Sequence, residues 1–214
     1  QLGKIGIPPL SVQQITTIAW IIWYVTWLAA VVFSARTKVQ NVRDVRSPGR
    51  IFMGIGLIVM LVPASAWLNI LKATPVALIA EPLWSAPEAM NWIWFLLVLA
   101  GFAFCWWARL HLGRLWSGFT TLKEGHYLVD SGPYGIVRHP IYSGAIFAAM
   151  MTAALNATLL SVLGFLALAV GFAMVARLEE RFLRQQLGEQ IYEGYAARVP
   201  MLAPTWSRGS RSRA

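Results

Sequence analysis

Residues 112–142 read LGRLWSGFTTLKEGHYLVDSGPYGIVRHPIY, and most side chains capable of chemistry lie there or just beyond the apolar block that follows. The stretch carries two of the three histidines, His126 and His139, a Gly132-Pro133-Tyr134 turn signal, and the run from Arg138 through His139, Pro140 and Ile141 to Tyr142. An apolar segment then leads to Glu179 and Glu180, the one adjacent pair of acids. Aromatic faces can hold a flat ring or a cation, a carboxylate can accept from hydroxyl or ammonium donors, and arginine can clamp a carboxylate bidentately. Pro140 has no N–H and pushes the residue before it out of helical geometry, so His139 can aim its ring inward while a helix starts behind it. The elbow and the acids are expected to converge around one buried chamber.

Other chemistries lack their marks. The chain has no Walker loop, no glycine fingerprint after a strand, no nucleophile elbow and no metal-spaced His/Cys/Asp/Glu set, so no metal is expected. Cys105 stands alone in an apolar run, which excludes a disulfide framework.

The elements that must position these groups are set by composition. The chain is 57% hydrophobic and 13% charged over 214 residues, the profile of an integral membrane protein. Long uncharged runs cover residues 5–35, 51–71, 89–108 and 141–176. A crossing takes roughly 20 helical residues, so the first three runs hold one span each. The fourth would be about 54 Å long as one helix and must fold back, with Asn156 as the bend. The expected fold is therefore an all-α, polytopic membrane bundle of about five transmembrane helices whose last two form a hairpin. A cytoplasmic loop over residues 120–134 and a surface helix over residues 177–199, interrupted at Gly188 and Gly194, complete it. Pro63 is expected to kink the second span.

The net charge of +9 suggests nucleic acid at first sight, but its distribution reads as a topology signal and no nucleic-acid partner is expected. Residues 36–50 hold five basic side chains against Asp44, while residues 72–90 hold Lys72 against Glu81 and Glu88. The positive-inside rule then puts the amino terminus outside, and five crossings put the carboxyl terminus in the cytoplasm with the site beside it. Membrane lipids are the expected surroundings, and the oligomeric state is open.

Three separated blocks, LGRLWS at 112–117, EGHYLVDSGPYGIVRHPIYSG at 124–144 and EERFLRQQLGEQIYEGYAARVPMLAP at 179–204, resemble the isoprenylcysteine carboxyl methyltransferase and phospholipid methyltransferase family of membrane enzymes. The resemblance implies one membrane domain over 1–214, with variable spans at 1–88, a methyltransferase core at 89–204 and a basic tail at 205–214. It implies S-adenosylmethionine as cofactor, touching His126, Tyr127, Leu128, Val129, Tyr134, His139, Pro140, Ile141, Tyr142 and Glu179. A lipophilic small molecule or prenylated substrate would enter from the bilayer, and Arg138, Arg177 and Glu180 form the expected catalytic set. Family members often carry an arginine four residues before the first glutamate; this chain has Val175 there, and Arg177 is the nearest arginine.

Methyl transfer from a sulfonium mainly requires two partners to be positioned and desolvated. A carboxylate acceptor needs no base, whereas an ammonium must first lose a proton, for which Glu180 or His139 could serve. Both acceptor classes stay open. An NADPH-dependent membrane reductase of the sterol-reductase type is the alternative reading, and a non-enzymatic adaptor whose loop and tail bind anionic lipid is a third. Each residue also has an ordinary role: arginines at helix ends snorkel, and an acidic pair at a helix exit can be a solvated face.

Overall fold

The computed structural model describes residues 9–33, 37–40, 44, 47–62, 64–117, 121–123 and 128–204. Seven α-helices occur among them: α1 (Val12–Ala29), α2 (Pro48–Leu61), α3 (Ala64–Leu71), α4 (Glu88–Leu112), α5 (Pro140–Asn156), α6 (Leu159–Leu187) and α7 (Glu189–Ala196). Two short strands, β1 (Thr37–Gln40) and β2 (Thr121–Lys123), pair antiparallel. Part of the expected loop over 120–134 is thus β structure, and a 3₁₀ turn over Gly132–Gly135 forms another part.

The expectation of about five membrane crossings is overturned. Among the described residues two helical segments are long and apolar enough to cross a bilayer, Glu88–Leu115 and Leu159–Leu187. Among the described residues the remaining uncharged runs do not make full-length apolar helices, because polar and backbone-breaking residues interrupt helices without carrying charge. α1 starts only at Val12, where Ser11 and Gln14 form a capping box, and it ends after 18 residues. The second run divides at Val62, whose extended backbone caps α2 after 14 residues and separates it from the 8-residue α3. At about 1.5 Å per residue α2 spans roughly 21 Å, short of the hydrocarbon thickness. Pro63, the expected kink, lies outside the described residues. The placement of the amino end outside and the carboxyl end inside was counted on five crossings and loses that basis.

The bend in the fourth run follows local rules. Ala157 caps α5 in the left-handed region (φ 55°) and Thr158 opens α6 with its own capping box to Ser161. α5 and α6 are therefore an antiparallel hairpin. α5 also packs against α4, where a Cβ on Gly101 would meet the Gly144 carbonyl at 2.8 Å and the Cys105 thiol donates to the Ile141 carbonyl at 3.3 Å. α4 and α6 consequently run in the same direction, with α5 returning between them, and their C-terminal ends share one face with the start of α5.

Glycines let the helices approach this closely. Gly49 and Gly56 of α2 face Gly171 and Gly164 of α6, two turns apart on each helix, so backbone meets backbone. The core between α1, α2, α4, α5 and α6 is Trp20, Met60, Val98, Phe102, Ala148, Ala149, Met151 and Leu168. Trp20 donates from Nε1 to the Thr152 hydroxyl at 3.0 Å, joining α1 to α5. α6 does not stop at Ala176, the end of the uncharged run: it continues through Arg177 to Leu187 and breaks at Gly188 (φ 98°). The expected surface helix over 177–199 is thus the end of α6 plus a separate α7, which contains Gly194.

Candidate active site

At the open end of the hairpin, α5 begins and α6 passes its 21st residue. Since 17 residues of α5 measure about 25 Å, the start of α5 lies close to the level of Glu179 and Glu180 on its partner. His139 caps α5 with a non-helical backbone (φ −123°, ψ 64°), and Pro140 occupies the first turn. This geometry aims the imidazole sideways into α6. Its Nε2 lies 3.3 Å from Glu180 Oε1 and its Nδ1 3.6 Å from Glu179 Oε2. The ring stacks on Tyr142 with centroids 5.3 Å apart and 2° between planes, and the Tyr142 hydroxyl donates to Glu179 Oε2 at 2.9 Å.

Burial works to lower the pKa of His139, but hydrogen bonds and charge from Glu179 and then Glu180 outweigh it and raise the imidazole above its ordinary value. The imidazole lies between two carboxylates, which favour its protonated form. Burial, with Glu179 beside it, also pushes the Tyr142 phenol well up, so it stays a donor.

Glu180 is 5% exposed and collects three cationic partners. Arg138 Nε donates to its Oε1 at 2.7 Å, His139 approaches the same oxygen, and Arg184 Nη2 donates to Oε2 at 3.5 Å. Arg138 is committed further, with Nη1 donating to the Ala196 and Val199 carbonyls at 3.0 and 2.6 Å. Arg184 also pairs with Glu193 at 2.6 Å and lies over the Tyr192 ring. Glu179 is the more open of the two acids, its side chain 29% exposed.

The remaining expected residues fall in several places. Tyr134 is buried on the 3₁₀ turn, its carbonyl accepts from the Tyr195 hydroxyl at 2.7 Å and its ring lies 6.4 Å from His111. Leu128 packs on Tyr192, Tyr195 and Val199, and Val129 is half-buried. Pro140 is buried, and Ile141 presents its carbonyl to Cys105. His126 and Tyr127 lie outside the described residues. Arg177 is exposed and sits two positions before Glu179, about 200° around the helix from it. Val175, one turn before Glu179, is 1% exposed.

The elbow and the acids therefore converge, but they close on one another: at 2.7 and 3.3 Å from Glu180, Arg138 and His139 leave no open chamber between them. Residues that the sequence reading did not single out complete the network: Arg184, Tyr192, Ser143 and the segment 196–202. Arg184 was visible as a base four positions after Glu180, one helical turn on. The segment 196–202 contributes carbonyls, which leave no mark in a sequence.

Residues 93–185 match the model of the isoprenylcysteine carboxyl methyltransferase family. The chain is 38% identical over 84 residues to Protein-S-isoprenylcysteine O-methyltransferase B of Arabidopsis thaliana, across 38% of this chain and 42% of that protein. It is 35% identical over 101 residues to Cobalt-zinc-cadmium resistance protein CzcN of Cupriavidus metallidurans, across 45% of this chain and 44% of that one. It is 33% identical, again over 101 residues, to Nickel-cobalt-cadmium resistance protein NccN of Alcaligenes xylosoxydans xylosoxydans, with 45% of each chain covered. The chain spans less than half the length of these curated relatives. The family match takes in His139, Tyr142, Glu179 and Glu180, and stops before α7.

Proposed function

From this resemblance to the isoprenylcysteine carboxyl methyltransferase family over residues 93–185, we propose that the chain is a membrane enzyme that transfers a methyl group from S-adenosylmethionine to a lipophilic acceptor. The observation that carries the reading is the meeting of Glu179, His139 and Tyr142 at one end of the α5–α6 hairpin, with the Tyr142 hydroxyl 2.9 Å from the Glu179 carboxylate. The donor set suits the cofactor: a partly open carboxylate for ribose hydroxyls or an ammonium, and stacked aromatic faces for a flat base or a cation. S-adenosylmethionine would supply the methyl and a leaving group that departs neutral.

The chain's own groups would do the rest. Glu179 would bind donors while Tyr142 fixes its orientation. Tyr134, Leu128 and Val129 would line the approach together with His126 and Tyr127, and Pro140 and Ile141 would hold the elbow. Arg138 and Glu180 would organise the reacting end. Arg177, exposed on the outer side of α6, would meet the acceptor's head group at the membrane surface. The arginines and His111 near this face favour a cytoplasmic orientation.

The two carboxylates beside His139 favour its protonated form, and Glu180 is engaged by Arg138, so neither group is set up to take a proton from the acceptor. This favours an acceptor that arrives deprotonated, such as the carboxylate of an isoprenylcysteine, over an ammonium. Calorimetric titration of the detergent-solubilised chain with S-adenosylhomocysteine tests the reading. Binding is expected, with loss in Glu179→Ala and His139→Ala proteins that remain monodisperse. Tight NADPH binding without S-adenosylhomocysteine binding would replace it with the reductase. A radiolabel transfer screen over prenylcysteine analogues, phosphatidylethanolamine and small thiols then identifies the acceptor.

A further inference from the structure

From Ala196, the last residue of α7, and beyond the residues matched to the family, the chain leaves helical geometry and crosses the start of α5. Five carbonyls of residues 196–202 accept bonds there. The Arg138 amide donates to Pro200 at 2.8 Å and the His139 amide to Met201 at 3.1 Å. The Ser143 hydroxyl donates to Leu202 at 2.6 Å, and Arg138 Nη1 donates to Ala196 and Val199 at 3.0 and 2.6 Å. The Arg138 guanidinium also donates from Nε to Glu180 at 2.7 Å. Because that group is planar and rigid, the carbonyls of the segment and the carboxylate of α6 are set in one frame, with the imidazole of His139 against the same carboxylate oxygen.

We propose that residues 196–202 form a strap latched by Arg138 across the start of α5, and that Arg138 is a positioning residue holding Glu180 against the His139 imidazole. Each of these five latch bonds is accepted by the backbone of 196–202, so the device depends on donors from the loop and from α5 and on the path of the chain. The other groups facing this pair are Glu179 and Arg184 from α6, Tyr142 from α5 and Tyr192 from α7, with Asp44 and Arg50 at the start of α2 acting on Tyr142. The proposal rests on the methyl-transfer reading only for the importance of the site. Its test uses no cofactor, so its failure and the failure of that reading are separate results.

A purely electrostatic Arg138 and a positioning Arg138 predict opposite signs. Removing a neighbouring positive charge raises the proton affinity of His139, provided Glu180 stays in place. If Arg138 holds Glu180 in place, its removal lets the carboxylate turn away and lowers that affinity.

The experiment is NMR titration of the His139 ring in the full chain in detergent micelles, assigned with His139→Gln, together with strap exchange, the hydrogen exchange of the residue 138 and 139 amides that donate to the strap carbonyls. In Arg138→Gln the His139 midpoint is expected to fall by about 1 pH unit, the effect of one lost carboxylate neighbour, and strap exchange to rise at least tenfold, roughly 1.4 kcal/mol of local stability. Arg138→Lys keeps the charge without the planar fork and is expected to leave the strap loose. Ser143→Ala removes one strap bond and is expected to speed exchange of the His139 amide, which donates to the neighbouring Met201 carbonyl, with the His139 ring midpoint unmoved. Arg198→Gln, which removes only an exposed pair with Asp130, is expected to change neither. A His139 midpoint that rises in Arg138→Gln with strap exchange unaltered overturns the proposal. If Arg138→Gln does not fold, Arg138→Lys and Ser143→Ala decide it: strap exchange unchanged in both overturns it equally.

Discussion

Glu180→Ala is the most demanding single change for the site, and its cost can be worked from the contacts. The carboxylate accepts from Arg138 at 2.7 Å, approaches His139 at 3.3 Å and reaches Arg184 at 3.5 Å. Arg184 keeps Glu193, and His139 keeps Glu179 at 3.6 Å. Arg138, whose side chain is 11% exposed, is left with backbone acceptors only. Removing one partner of a buried pair costs about 3–5 kcal/mol, and with two of the three cations still partnered the low end applies, about 3 kcal/mol. For a chain of this size that is a fall of roughly 6–12 °C in melting temperature. Glu180→Gln keeps an acceptor for Arg138 and should lose about 1–2 kcal/mol. In a cycle with Arg138→Leu, replacing both partners should recover most of the loss, because no buried charge is then left uncompensated. Tryptophan fluorescence during thermal unfolding in micelles reads all five proteins, the parent included. A Glu180→Ala protein within about 1 kcal/mol of the parent, or a cycle showing strict additivity, would refute the view that this pair organises the end of the hairpin.

The pH dependence has a defined sign. Because the folded pKa of His139 is raised, its contribution to stability is fully present below the unfolded value of about 6.5 and is lost as pH climbs through the higher folded value. Melting temperature should therefore fall from about pH 6.5 upward, with the slope removed in His139→Gln; a parent profile flat across that window would contradict the assignment. In α2, Gly56→Ala would drive a methyl into the Gly164 carbonyl and should cost about 1–3 kcal/mol. Gly54→Ala in the same helix meets nothing within 4 Å and should be neutral or stabilising by up to about 1 kcal/mol. Equal effects in thermal unfolding would argue against the close α2–α6 crossing. Tyr142→Phe keeps the ring on His139 but removes the donor to Glu179, a bond to a charged group worth about 1.5–3 kcal/mol. S-adenosylhomocysteine affinity should drop at least tenfold by calorimetry, and unchanged affinity would remove Glu179 orientation from the proposed function.

Local chemistry made parts of this arrangement legible. Pro140 after His139 marked the elbow, Asn156 marked the hairpin bend, and the adjacent acids marked the facing point on α6, each through a rule acting over a few residues. The crossing count failed because an uncharged run is not a helix: Gln13, Gln14, Thr16 and Thr17 dilute α1, and the backbone at Val62 divides the second run without any charge appearing. The division of roles within the site was hidden by a boundary set at Ala176, with a new helix assumed from Arg177. α6 is continuous there, so helical register applies across it. Neighbours on a helix point about 100° apart, which is why Glu179 meets Tyr142 while Glu180 meets Arg138. The same arithmetic turns Arg177 outward from Glu179 and places Arg184 one turn after Glu180. Had the helix been carried through residue 176, the split between the two acids would have followed from spacing, whereas the strap would still have been invisible, since Ala196, Val199, Pro200, Met201 and Leu202 accept its hydrogen bonds through carbonyls that any residue possesses.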